Sequence, residues 1–106
     1  MRTIEMDDFV TLWEGQDLTV LDVREPDEYV EGHVPGAVLI PLGQLARRVA
    51  EVPAGDPVYV ICRSGNRSQH GMVLLDRAGR EAVSINEGTM GWLRRGRQVV
   101  TGMAPR

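Results

Sequence analysis

The chain has 106 residues, 42% of them apolar and 25% charged, with a formal net charge of −3 and one cysteine. These values suit one soluble globular domain spanning residues 1–106; they exclude an internal disulfide and argue against a nucleic-acid binder, which needs a basic face. No apolar run is long enough to span a membrane, and Met1–Met6 lacks the apolar centre of a signal peptide, so the expected location is the cytoplasm, away from membranes.

Taken in chain order, Phe9, Leu12 and Trp13 share one face of a helix over Asp7–Glu14, which Gly15 stops. Leu18–Val23 is a strand apolar enough to be buried on both faces. Pro26 opens a short helix and Gly32 closes it. A short strand falls at Val38–Ile40, and Leu42, Leu45, Ala46 and Val49 then recur at helical spacing. Pro53–Pro57 is a turn into the strand Val58–Ile61. A helix follows from Asn66 or Arg67 to Ala78, then a strand over Ala82–Ile85 and a last short helix over Thr89–Leu93. Alternating strands and helices predict an α/β domain with a mainly parallel sheet covered on both faces. In such folds ligands bind beyond the carboxyl ends of the strands.

Cys62 stands at one of those ends, followed by Arg63, Ser64, Gly65, Asn66, Arg67 and Ser68. The thiolate is the reactive form of cysteine, and a helix N-terminus or a neighbouring arginine lowers its pKa. Unpaired amides at the start of the next helix, Gly65, two guanidinium groups and two hydroxyls predict a small, exposed cup of donors around one sulfur. Within it Arg67 is expected to pair inside the loop and Arg63 to face the mouth. All twelve basic residues are arginine, and the run Arg94, Arg95, Arg97 reads as solvated surface. Asp22 and Arg24, at the end of the first buried strand, read as supporting residues, with Asp22 bonding the loop backbone or an arginine. His33 reads as structural, His70 as exposed, and Trp13 and Trp92 as core anchors. Two histidines and one cysteine lack a metal-ligand spacing.

Three segments together resemble the single-domain rhodanese family of sulfurtransferases. "LDVREPDEYVEGHVPGA", Leu21–Ala37, is similar to its amino-terminal signature, "CRSGNRS", Cys62–Ser68, to its active-site loop, and "EGTMGW", Glu87–Trp92, to its Gly-Gly-x-x-x-Trp signature, with Glu87 in place of the first glycine. The resemblance implies a three-layer fold, a five-stranded mainly parallel sheet flanked by helices on both faces. It also implies persulfide chemistry at Cys62, with no metal and no organic cofactor. The expected activity is of the thiosulfate:cyanide sulfurtransferase type. The donor would be thiosulfate or another sulfane-sulfur compound, and the acceptor cyanide, a thiol or a protein thiol. The alternatives are a protein-to-protein persulfide relay or regulatory interaction module and, more distantly, a phosphatase or arsenate reductase. Phosphatase loops space cysteine and arginine as C-x5-R; Cys62 and Arg67 form C-x4-R, a cup one residue shorter and better sized for a single sulfur.

Overall fold

A computed structural model of the chain describes residues 2–106. Its sheet has strands β1 (Thr3–Ile4), β2 (Thr19–Asp22), β3 (Val38–Leu39), β4 (Val58–Ile61) and β5 (Ala82–Ile85) in the order β1-β5-β4-β2-β3. Every neighbouring pair is parallel. Parallel strands need crossover connections, and these carry helices α1 (Met6–Gly15), α2 (Pro26–Glu31), α3 (Leu42–Leu45) and α4 (Asn66–Arg77), while α5 (Gly88–Arg94) follows β5.

Side-chain alternation along the strands divides the core in two. Val58, Val60 and Ala82 join Leu45, Met72 and Leu75 on the face covered by α3 and α4, and Cys62 continues that series. Tyr59, Ile61, Val83 and Ile85 join Met6, Phe9 and Trp92 on the face covered by α1 and α5. All four residues of β4 and of β5 are buried, which explains their apolar character, broken only by the Ser84 hydroxyl. On the second face Phe9 lies between Tyr59 and Trp92, with ring centroids 5.8 and 6.1 Å away. Burial of each such large side chain stabilises the fold by roughly 1.5–3 kcal/mol.

The elements read from the sequence are present, with two differences. Strand β1 is too short to show any periodicity; it forms because Thr3 and Ile4 find Ser84 and Ile85 on the open edge of β5. The helical spacing from Leu42 to Val49 resolves into a single turn at Leu42–Leu45 and a separate 3-10 turn at Val49–Glu51. Beyond α5 the chain turns back over the α2 end of the domain. Val100 and His33 exchange backbone hydrogen bonds of 2.9 Å, and the Gly36 amide donates to the Pro105 carbonyl. Among the described residues no helix is long and apolar enough to cross a membrane.

Candidate active site

Strand β4 ends at Ile61, and the chain must turn sharply to enter α4. Gly65 makes that turn at φ 111°, ψ −5°, a left-handed conformation that glycine adopts without the clash a Cβ brings. The turn points the Gly65 amide back at the Cys62 sulfur, 3.1 Å away. Ser68, one turn into α4, places its hydroxyl 3.6 Å from the same sulfur. Burial pushes the Cys62 thiol up, but the Ser68 hydroxyl and the amides of Ser68, Gly65 and Ser64 outweigh it, and the thiol sits below its ordinary value. The cup is not exposed, as the sequence suggested: Cys62 is 1% accessible and forms part of the apolar cluster under α4. Its sulfur is buried yet surrounded by donors on the loop side.

The loop is held from behind by α5. The amides of Thr89 and Met90 donate to the carbonyls of Cys62 and Arg63 at 2.8 and 3.0 Å, and the Thr89 hydroxyl adds a bond of 3.1 Å to the Cys62 carbonyl. With its carbonyls engaged on α5, the loop presents its amides to the sulfur. Backbones this close leave no room at Gly88, where a Cβ would meet the Cys62 oxygen and the Arg63 carbonyl group at 2.5 Å. Glu87 precedes it at φ 69°. A glutamate therefore occupies a left-handed conformation that glycine takes more cheaply, and its carboxylate is anchored on Arg95 at 3.0 and 3.1 Å.

Of the two loop arginines, one is arranged differently from the sequence expectation. Arg67 pairs outside the loop: its guanidinium grips Glu28 of α2 through two bonds of 2.7 and 2.9 Å. That hydrogen bonding holds Glu28 down to about 2, against the opposing effect of burial. Arg67 itself is raised first by Glu28, with the Cys62 charge only a lesser contributor, while the Cys62 thiol is lowered chiefly by the Ser68 hydroxyl and the loop amides. A guanidinium already committed to a carboxylate has little field left for the sulfur. Arg63 is exposed and makes no ion pair among the described residues. It lines a 430 Å³ cavity with Arg24, Glu28, Glu31, Met90 and Leu93. The cavity meets the loop through Arg63, and Cys62 does not line it. Ser64 and Asn66 are exposed on the rim. Asp22 bonds not the loop backbone but Arg24, whose amide and guanidinium wrap it at 2.8–3.1 Å. Arg24 also donates to the Gly32 carbonyl at 2.9 Å, so this buried pair ties β2 to the end of α2.

The rhodanese-like domain family model matches residues 5–95. This chain belongs to that family. A rhodanese-related protein from Thermoplasma volcanium superposes with a TM-score of 0.86 at 30% identity, covering 96% of this chain and all of the other. A protein of Allochromatium vinosum named a sulfurtransferase is 31% identical over 90 residues, 84% of each chain. The Bacillus subtilis protein YrkF is 37% identical over 78 residues; the match takes in 73% of this chain but only 42% of YrkF, so this chain spans less than half of that relative.

Several residues of this rhodanese-like site escape sequence reading. Glu28 is visible only as the partner of Glu25 in a helix capping box, where its carboxylate accepts from the Glu25 amide at 3.0 Å. Its second partner, Arg67, lies 39 residues on. Thr89 has no signal beyond its place in the Glu87–Trp92 signature. Ser84 is a lone hydroxyl in the apolar strand "AVSI", and its oxygen lies 2.7 Å from that of Ser68.

Elsewhere, His33 is buried and bonds the carbonyls of Tyr29 and Ala104 at 2.9 Å, while His70 is exposed. Trp92 is buried, with Trp13 packed edge-on against it at 5.1 Å. The arginine run lies at the surface, with Arg94 and Arg95 exposed and Arg97 half-buried, but most of it is paired. Arg95 pairs with Asp7 and Glu87, and Arg97 pairs with Glu14 and lies over Trp92 at 4.8 Å, leaving only Arg94 without an ion pair among the described residues. No group of three His, Cys, Asp or Glu is positioned to hold a metal among the described residues.

Proposed function

We propose that this rhodanese-like chain is a sulfurtransferase in which the Cys62 thiolate carries a sulfane sulfur as a persulfide. The observation that supports it is the set of loop donors on one buried sulfur, led by the Gly65 amide at 3.1 Å, which keeps the thiol below its ordinary value in spite of burial. With thiosulfate as donor, the thiolate attacks the outer sulfur; a new S–S bond forms, the donor's S–S bond breaks, and sulfite leaves with the electron pair. The persulfide anion remains facing the loop amides, which favour negative charge at either sulfur. Cyanide or a thiolate then attacks the outer sulfur, and Cys62 leaves as thiolate. Neither step consumes a cofactor or requires a general base on Cys62. Arg63, exposed at the rim, is the available cation for the donor's sulfonate; Arg67, Asp22 and Arg24 serve as scaffold. Sulfur transfer also accords with the name of the Allochromatium relative.

The test is intact mass after incubation with thiosulfate: one added sulfur atom, removable by cyanide and absent in Cys62→Ser. Loading of the Cys62→Ser protein would defeat the mechanism.

A second reading is a relay that takes persulfide from a protein. It is favoured by the half-exposed Leu93 and the mixed apolar and charged cavity beside the loop, and YrkF is provisionally named a sulfur carrier. Faster loading from a cysteine desulfurase than from thiosulfate would select it. Phosphate or arsenate chemistry is disfavoured because Arg67 is engaged by Glu28 rather than directed toward a bound oxyanion.

A further inference from the structure

We propose that Ser84 is a positioning residue that fixes the direction of hydrogen bonding through Ser68 toward the Cys62 sulfur. The inference rests on the reading of Cys62 as a working thiolate and adds a residue on a strand outside the active loop.

Ser84 lies on β5, wholly buried, between Val83 and Ile85 and on the same face as Ala82. Among the described residues its hydroxyl has one side-chain partner, the Ser68 oxygen at 2.7 Å. Ser68, equally buried, has three polar neighbours: Ser84, the Gly65 carbonyl at 3.2 Å and the Cys62 sulfur at 3.6 Å. It has only one proton to donate. The Gly65 carbonyl can only accept, so it competes with the sulfur for that proton.

Counting protons assigns the directions. When Cys62 is a thiol, its S–H and the Ser84 O–H can both donate to the two lone pairs of Ser68, whose own proton goes to the Gly65 carbonyl. When Cys62 ionises, its S–H bond is lost and the sulfur becomes an acceptor. Ser68 then turns its proton from the Gly65 carbonyl to the sulfur. Ser84 donates to Ser68 in both states, since it has no other acceptor side chain in reach. Ser84 is thus the fixed donor and Ser68 the rotor. A hydroxyl that accepts one hydrogen bond donates a stronger one, so Ser84 supports the thiolate without touching it.

The charged groups around Cys62 are Arg63 and Arg67 on the loop and α4, Asp22 at the end of the neighbouring strand β2 with Arg24 just beyond it, and Glu28 on α2. None of them hydrogen-bonds Ser84 or Ser68, so removing the Ser84 hydroxyl leaves that set in place.

The experiment is the pH dependence of Cys62 alkylation in wild type, Ser84→Ala, Ser68→Ala and the double variant, with thermal melting to verify folding. Ser84→Ala should raise the apparent pKa enough to slow alkylation about three- to tenfold at pH values below it. Ser68→Ala should raise it further, and Ser84→Ala should have no additional effect once Ser68 is alanine. An unshifted Ser84→Ala profile, or a shift of the same size in the Ser68→Ala background, overturns the relay while leaving the thiolate reading intact. A wild-type pKa at the ordinary thiol value would bring down that reading itself, and the relay with it.

Discussion

Two helices begin at the carboxyl ends of adjacent strands, and they use their N-termini for different ends. The start of α4 turns its amides on a sulfur, with the Gly65 amide 3.1 Å from Cys62. The start of α5 turns its amides on the carbonyls of the residues that form the first cup, with Thr89 and Met90 donating to Cys62 and Arg63. Both need a left-handed turn at their entrance, at Gly65 and at Glu87-Gly88. One helix start favours an anion; the other holds the backbone that favours it. A buried thiolate calls for both, because amides left free to rotate would lose their alignment when the sulfur loses its charge.

Substitutions can separate the two roles. Gly88→Ala should have the largest effect, because its new Cβ meets backbone atoms at 2.5 Å that cannot swing aside. We expect a loss of more than about 2 kcal/mol in chemical denaturation, together with sulfur loading. Gly65→Ala has space around it, its nearest contact being 3.5 Å. It should cost about 1–2 kcal/mol of backbone strain and show itself mainly as a raised Cys62 pKa in alkylation profiles. If Gly88→Ala spares stability, or Gly65→Ala leaves the pH profile unmoved, the division of labour fails.

Thr89→Val removes one bond to the Cys62 carbonyl and should cost about 0.5–1.5 kcal/mol in denaturant titration, with the thiol pKa little changed. Glu28→Gln tests the tie between α2 and α4 at a partly exposed pair worth about 1 kcal/mol or less. Glu28 is held at about 2, below its ordinary value of 4.5. A carboxyl with a depressed folded pKa gives stability that is fully present above the unfolded value and is lost as pH falls from there through about 2. Wild type should therefore lose its advantage over Glu28→Gln in that acid window, measured by urea unfolding at stepped pH. Smallest of all, Arg67→Ala should barely move the alkylation profile, since its charge is directed to Glu28; a shift as large as that of Gly65→Ala would restore arginine to thiolate activation.

Much of the site was legible because its signals are local. A strand running into Cys62, a glycine three residues later and a helix beginning at Asn66 suffice to predict converging amides. The chemistry of the arginines was not legible. Two guanidinium groups flank Gly65 in the chain, and proximity in sequence suggested that they serve the sulfur. The direction of Arg67 depends on Glu28, which reads locally as a capping residue. The pairing of Arg95 and Arg97 left no local signal either, because Asp7 and Glu14, which pair with them, belong to the first helix.

The amino-acid order by itself determined the alternating elements, the parallel sheet and the thiol at a strand end, since periodicity and turn chemistry act over a few residues. Only the tertiary structure decided that β1 exists, that α5 grips the Cys62 carbonyl 27 residues away, and that Ser84 meets Ser68 across 16. These contacts follow from the strand order, which sets β5 beside β4. Partners far apart in the chain leave no periodic trace, because what selects them is the shared burial of groups that must then satisfy one another.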